Sequence, residues 1–285
     1  MTDELPAVQV MPDLRIVPVN SLVPHEEHDA QRSGPLVERI RAAGVWLNPP
    51  IVSPLGDGRY VILDGANRHF ALTALGYPHI LVQVVDYESA TVKLETWQHV
   101  VSGLSWFDLL KRIRQIDGLR VESDELLSAR VALAQRQALA YLVLGDEGTY
   151  LLSAAQAETS LAGRNHILRQ VVNSYKTAGI LNRVTTDRLT AARSLYPEAV
   201  AIIVFPHYEP VEIVVAARDE AYLPPGITRH LIQGRALRLN YPLEILRDQE
   251  TDLDKKNQDL QQWIQLRTAE KRIRYYAESS YLFDE

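Results

Sequence analysis

One ten-residue run, Val61-Ile62-Leu63-Asp64-Gly65-Ala66-Asn67-Arg68-His69-Phe70, leaves the surrounding chain few choices. An apolar strand feeds a two-residue turn, and a helix begins at once. Gly65 lets the backbone take a conformation that other residues resist, and lets a ligand come close. The first N–H groups of a helix have no partner within it and form a partly positive end that suits phosphate. Arg68 offers a planar fork for two phosphate oxygens. Asp64 is placed to orient a Mg²⁺ ion or a substrate group. Residues Asp64, Gly65, Ala66, Asn67, Arg68 and His69 are therefore a candidate phosphate-binding turn. The same spacing also fits a plainer reading, with Asp64 as a helix N-cap and Arg68 solvated. Spacing alone does not choose between them.

The segments around the turn define a compact α/β unit. Leu14–Val19 reads as a strand, with Pro18 suited to an edge. Gly34–Ala43 reads as an amphipathic helix stopped by Gly44. Ile51–Pro54 and Arg59–Leu63 form a hairpin across Gly56-Asp57-Gly58. A helix follows over Ala66–Leu75, then a strand over Ile80–Val85. We place this first domain at residues 1–105 and a second, mixed α/β domain at 106–285, giving an α+β protein overall. In the second domain Glu122–Val143 and Ala154–Leu181 read as helix-prone. Val200–Phe205 and Val211–Ala217 read as β-like, and Ile227–Leu239 as a strand pair. Asp248–Glu278 reads as a long polar helix.

Composition removes several classes. There is no cysteine, so disulfides, thiolate metal sites and thiol nucleophiles are excluded. The formal net charge of −6 disfavours a generally basic nucleic-acid binder. No apolar run approaches the ~18 residues of a membrane span, and the first residues lack the basic start and apolar run of a signal peptide. The expectation is a soluble, cytoplasmic protein. His25-Glu26-Glu27-His28 has neither the four-residue spacing nor the helix of a His-Glu-x-x-His zinc site.

Four separated motifs carry a resemblance. Asp64-Gly65-Ala66-Asn67-Arg68, with Leu75-Gly76 behind it, resembles the nucleotide-binding turn of the ParB/sulfiredoxin superfamily. Sulfiredoxins carry their catalytic cysteine where this chain has Ala66, so their chemistry is excluded. Free L-serine kinases carry Asp-Gly-x-His-Arg in that turn, and the chain departs from them only at Asn67. His25-Glu26, Thr96-Trp97-Gln98-His99 and Gly226-Ile227-Thr228-Arg229-His230 are also similar to motifs of those kinases. Gly234-Arg235, Tyr241-Pro242-Leu243 and Ser280-Tyr281-Leu282 continue the likeness.

The resemblance implies a ParB/sulfiredoxin-like nucleotide-binding domain followed by a domain that completes a serine site. It implies transfer of a phosphoryl group from ATP or ADP, with Mg²⁺, to free L-serine. Glu26 would be the catalytic base, and Trp97, Thr228, Arg229 and His230 the substrate contacts. A carboxylate makes chemical sense there, because a serine hydroxyl is a poor nucleophile until its proton is accepted. The alternative is a nucleotide-responsive, ParB-like DNA-binding regulator, with Leu168–Val184 and Thr185–Leu195 as a helix-turn-helix. No dense basic face accompanies that pair, so DNA is the less favoured partner. The choice of donor and the oligomeric state stay open.

Overall fold

The computed structural model describes residues 11–28, 30–156 and 160–276. They divide into two compact units. The first holds residues 11–23, 30–92 and 232–276, and the second holds residues 24–28 and 93–231. The sequence reading breaks the chain once, after residue 105. The units instead exchange segments, because the C-terminal residues Tyr241, Leu243, Leu246 and Leu260 join the same core as Ile16, Trp46, Ile62, Leu72 and Leu81. Ser280-Tyr281-Leu282 lies outside the described residues.

The first unit is built on a five-stranded sheet. Its strand order is Asp13–Pro18, His79–Val84, Ile51–Pro54, Tyr60–Asp64, Leu22–Pro24. The strand ending in Pro18 is at an edge, as its proline requires. Its open backbone is covered from the C-terminal helix, Leu253–Ala269. The Asn257 amide accepts from Ile16 N–H at 2.9 Å and donates to Ile16 C=O at 2.8 Å. One side chain thus takes the place of a neighbouring strand and blunts the edge. The helix Ala30–Ala43 ends at Gly44, whose φ is +65°.

The C-terminal helix is shorter than the 248–278 expected. It starts at Leu253, with Asp252 as its N-cap, and ends at Ala269. Lys271 adopts φ +55°, and Arg272 N–H reaches back to Arg267 C=O. This left-handed closure ends a helix. It needs no glycine, so composition does not announce it. Residues 277 and 278 lie outside the described residues.

Lys256 of this helix is 1% exposed. Its ammonium donates to Ile245 C=O at 2.7 Å and to Asp248 C=O. It thereby closes the C-terminus of the short helix Leu243–Arg247. Burial pulls the amine below its usual range, and Asp248 opposes the shift. Lys256→Met keeps the aliphatic stem but leaves these carbonyls without their donor. We expect a loss of about 2–4 kcal/mol, the cost of stranding buried polar groups. Urea unfolding would show this as a lower midpoint at unchanged slope, whereas an unchanged midpoint would contradict it.

The second unit is built on a six-stranded antiparallel sheet. Its order is Ile180–Val184, Gln98–Ser102, Ala201–Val204, Ala140–Val143, Thr149–Ala154, Leu119–Asp124. Several sequence expectations are corrected here. Glu122–Val143 is no single helix. It runs from the end of a strand through the helix Leu126–Ala134 to the strand Ala140–Val143. Val211–Ala217 is helical within Pro210–Arg218, not a strand. Its β-branched residues suggest extension, but Pro210 at the first helical position and a Glu212-to-Glu209 N–H bond of 2.8 Å start a helix. Only Thr228–Ile232 of the expected 227–239 pair is a strand. The chain turns at Gln233-Gly234, where Gly234 takes φ +66°, and Arg238 adopts φ +53°. Ile180–Val184 is a sheet strand and Leu189–Arg193 a five-residue helix, so the proposed helix-turn-helix does not exist. No described helix is long and apolar enough to cross a membrane.

Candidate functional site

The chemistry-bearing residues gather in two places, one in each unit. In the first, the strand Tyr60–Asp64 ends and the helix Ala66–Ala74 begins, with Gly65 between them at φ +103°. Asp64 caps nothing, and the N-cap is Gly65 itself. Asp64 Oδ2 instead accepts from Arg68 at 3.1 Å and from Arg235. Burial pushes the Asp64 carboxyl up, but the two guanidiniums outweigh it and hold the group below the usual carboxylate range. Two cations and one anion leave a net positive charge at a helix N-terminus, which suits phosphate. Arg235 was read from the sequence only as part of a likeness, and no local signal ties it to a carboxylate 171 residues away.

The other residues of the turn divide by task. Ala66 and Asn67 open the helix. His69 turns away and bonds Val19 C=O at 3.0 Å. Burial pulls its imidazole below the usual range, so it serves as a neutral clamp on the turn that follows the strand Asp13–Pro18.

In the second unit, Glu26 is fixed by the segment after the Pro224-Pro225-Gly226 turn. Its Oε2 accepts from Gly226 N–H at 2.8 Å. Its Oε1 accepts from Thr228 N–H at 2.6 Å and from the Thr228 hydroxyl. The hydroxyl gives its one proton to Glu26, so His25 Nε2, 2.8 Å from the same oxygen, must be the donor to it. His25 in turn packs edge-on to His230 at 5.5 Å. Oε2 is the oxygen left with the fewest bonds, and the Glu26 side chain is 15% exposed. The site therefore presents an oriented carboxylate with one oxygen available to accept a proton.

Thr228, expected to touch substrate, is engaged in holding Glu26. Arg229 is also engaged, lying 4.5 Å over the Trp97 ring and 3.0 Å from Glu95. Trp97 is half-buried beneath it.

The rest of the Thr-Trp-Gln-His run is support. The Thr96 hydroxyl donates to Pro206 C=O at 3.2 Å, and Gln98 accepts from Phe205 N–H at 2.7 Å. His99 is fully buried between Tyr175 OH, at 2.7 Å, and Gly226 C=O, at 3.1 Å. Since the carbonyl can only accept, Nε2 carries the proton and Nδ1 accepts from the tyrosine. His99 thus fixes the Gly226 peptide, whose own N–H fixes Glu26.

Burial pulls the His99 imidazole down to about 3. The bond to Gly226 opposes this, and Arg183 and Lys176 add to it. Above the ordinary value near 6.5 both folded and unfolded chains carry a neutral imidazole, and the contribution is complete. Below it the unfolded chain takes up a proton that the folded one refuses. Stability is therefore lost between pH 6.5 and about 3, at ~1.4 kcal/mol per pH unit. We expect wild type to lose about 2 kcal/mol more than His99→Gln between pH 7.5 and 5.0. Paired urea titrations measure the difference, and equal slopes would refute it.

No family model matches the chain. Among characterised proteins it is 27% identical over 277 residues to the ATP-dependent L-serine kinase SbnI of Staphylococcus aureus (strain NCTC 8325 / PS 47). That match covers 95% of this chain and 97% of the relative. It is 21% identical to the ADP-dependent L-serine kinase SerK of Thermococcus kodakarensis (strain ATCC BAA-918 / JCM 12380 / KOD1), across 82% of this chain and 93% of that one. Its fold matches a solved free serine kinase in complex with AMP at a TM-score of 0.72 and 18% identity. There 86% of this chain and 98% of the other superpose.

Proposed function

We propose that the protein is a free L-serine kinase that transfers the terminal phosphoryl group of ATP or ADP to the serine hydroxyl, giving O-phospho-L-serine. The observation that carries this is the Glu26 carboxylate, oriented by Gly226 and Thr228 with Oε2 left to accept a proton. The likeness to L-serine kinases over most of the chain supports the same reading.

In the reaction the serine O–H gives its proton to Glu26 as its oxygen bonds the terminal phosphorus. The bond from that phosphorus to the bridging oxygen breaks, and the nucleotide departs one phosphate shorter, as ADP or AMP. Glu26 acts by position, and the backbone bonds that hold it remove the need to reorganise during transfer. His230 and Trp97 flank the amino acid. Arg68, Arg235 and the first turn of the helix from Ala66 hold the phosphates.

No cluster of three or more His, Asp or Glu able to hold a metal occurs among the described residues. Mg²⁺ is commonly held by one carboxylate plus nucleotide phosphates and water. Asp64 fits that role, since both arginines bond Oδ2 and Oδ1 lies beside it. The ion would supply neutralisation of phosphate charge.

The test is incubation of the protein with L-serine, Mg²⁺ and either ATP or ADP, followed by mass spectrometry. O-phosphoserine with one donor is expected. Its absence with both would overturn the reading.

A further inference from the structure

The first unit carries a buried glutamine that the chemistry above does not use. Gln83 is 3% exposed. It lies in the strand His79–Val84, where Ile80, Leu81 and Val82 are fully buried. An amide in such a place needs partners, since a stranded polar group costs more than an apolar one of the same shape. Its partners are the two peptide groups that flank Arg235. Gln83 Nε2 donates to Gly234 C=O at 3.0 Å, and its Oε1 accepts from Ala236 N–H at 2.8 Å. An N–H only donates and a C=O only accepts, so a single orientation of the amide satisfies both. One planar group thereby holds the Arg235 backbone from both sides.

Arg235 has need of such a hold. Residues 235–240 belong to no helix or strand, and Gly234 before them sits at φ +66°. Arg235 nonetheless reaches Asp64, which also accepts from Arg68 at 3.1 Å. The main chain of Gln83 serves the other side of the same group. Its N–H donates to Pro50 C=O at 2.9 Å. Pro50 lies against the phosphate turn, with its Cα 3.0 Å from where a Cβ on Gly65 would stand. One residue therefore ties the turn and Arg235 to the same point of the sheet.

We propose that Gln83 is a positioning residue for nucleotide binding that acts through Arg235. The proposal rests on the reading that Arg68, Arg235 and the turn at Gly65 hold the nucleotide phosphates. An arginine side chain has many rotamers, and fixing the backbone that carries it lowers the entropy lost when the guanidinium closes on phosphate. The side-chain bonds of Gln83 go to the backbone around Arg235. Replacing that side chain therefore changes phosphate binding only while Arg235 is present to feel it.

The test is a double-mutant cycle on the full chain, with Gln83→Met, Arg235→Met and the two combined. Affinity is read by calorimetric titration with ADP and with ATP, each with Mg²⁺, at a temperature where all four proteins are folded. Arg235→Met is expected to weaken the tighter nucleotide about 10- to 100-fold, the worth of a charged hydrogen bond. Gln83→Met should weaken it about threefold or more in the wild-type background, and less than about twofold in the Arg235→Met background. A merely structural glutamine would give the same factor in both backgrounds. A weakening that persists above about twofold without Arg235, or one below about threefold with it, overturns the proposal. Should Gln83→Met not fold, Gln83→Asn takes its place in the cycle with the same criteria, its amide being one methylene short of spanning both peptides. The phosphate reading fails by a different result. Wild type that binds neither nucleotide, or Arg235→Met that binds as tightly as wild type, removes that reading and the role of Gln83 with it.

Discussion

Replacing Glu26 by glutamine is expected to lower serine phosphorylation by about 10²- to 10⁴-fold, the usual contribution of a positioned general base. The amide keeps the size of the side chain but cannot accept the hydroxyl proton. It also meets its surroundings badly. Both carboxylate oxygens receive a backbone N–H, one from Gly226 and one from Thr228. Glutamine has a single acceptor oxygen, so its NH₂ must face one of these donors. A stability loss of about 1–3 kcal/mol should accompany the loss of rate. Nucleotide affinity should stay within about threefold, since the Asp64–Arg68–Arg235 group belongs to the other unit. Steady-state rates with serine, together with calorimetric titration of nucleotide, separate the effects. Wild-type turnover in the variant would remove Glu26 from the mechanism. Lost nucleotide binding would mean that the substitution had damaged more than the base.

Local order in the chain was legible where the signal is local. The Asp-Gly turn, the edge strand marked by Pro18 and the helix stop at Gly44 each depend on neighbouring residues, and the structure has all three. The helix over Pro210–Arg218 was misread because Val211, Val214 and Val215 favour extension. The proline and the glutamate that start it were nonetheless there to be read. The grip on Glu26 is of another kind. Thr228 is 202 positions away, and His99 acts on it only through Gly226. Such partners are set by tertiary packing, which no periodicity encodes. A likeness to known proteins can point to them, but it does not give their geometry. It implies a substrate contact for Thr228, but not that the Thr228 hydroxyl bonds the Glu26 carboxylate.

Gly65→Val is the substitution expected to harm the first unit most. At φ +103° a β-branched residue is strained before it touches anything, at a cost of about 1–3 kcal/mol. A Cβ there would also lie 2.8 Å from an Arg68 terminal nitrogen and 3.0 Å from Pro50 Cα. The two contacts differ in kind. The arginine end can swing away, but doing so breaks its pair with Asp64. The Pro50 backbone belongs to the segment leading into the Ile51–Pro54 strand and cannot yield without moving the sheet. Overpacking of that sort costs about 1–3 kcal/mol more. We therefore expect a total loss of about 2–6 kcal/mol in unfolding free energy. Stabilisation by added nucleotide should vanish, because the turn can no longer bring Arg68 and the helix N-terminus to one phosphate. Gly34→Ala is the control. Gly34 is exposed within the helix Ala30–Ala43, has an ordinary φ and has open space at its Cβ position. There alanine should change stability by no more than about 1 kcal/mol, because its helix preference is opposed by Pro35, next in the chain. Urea unfolding with and without ADP measures all of these. Full nucleotide stabilisation in Gly65→Val would show that the phosphates bind elsewhere.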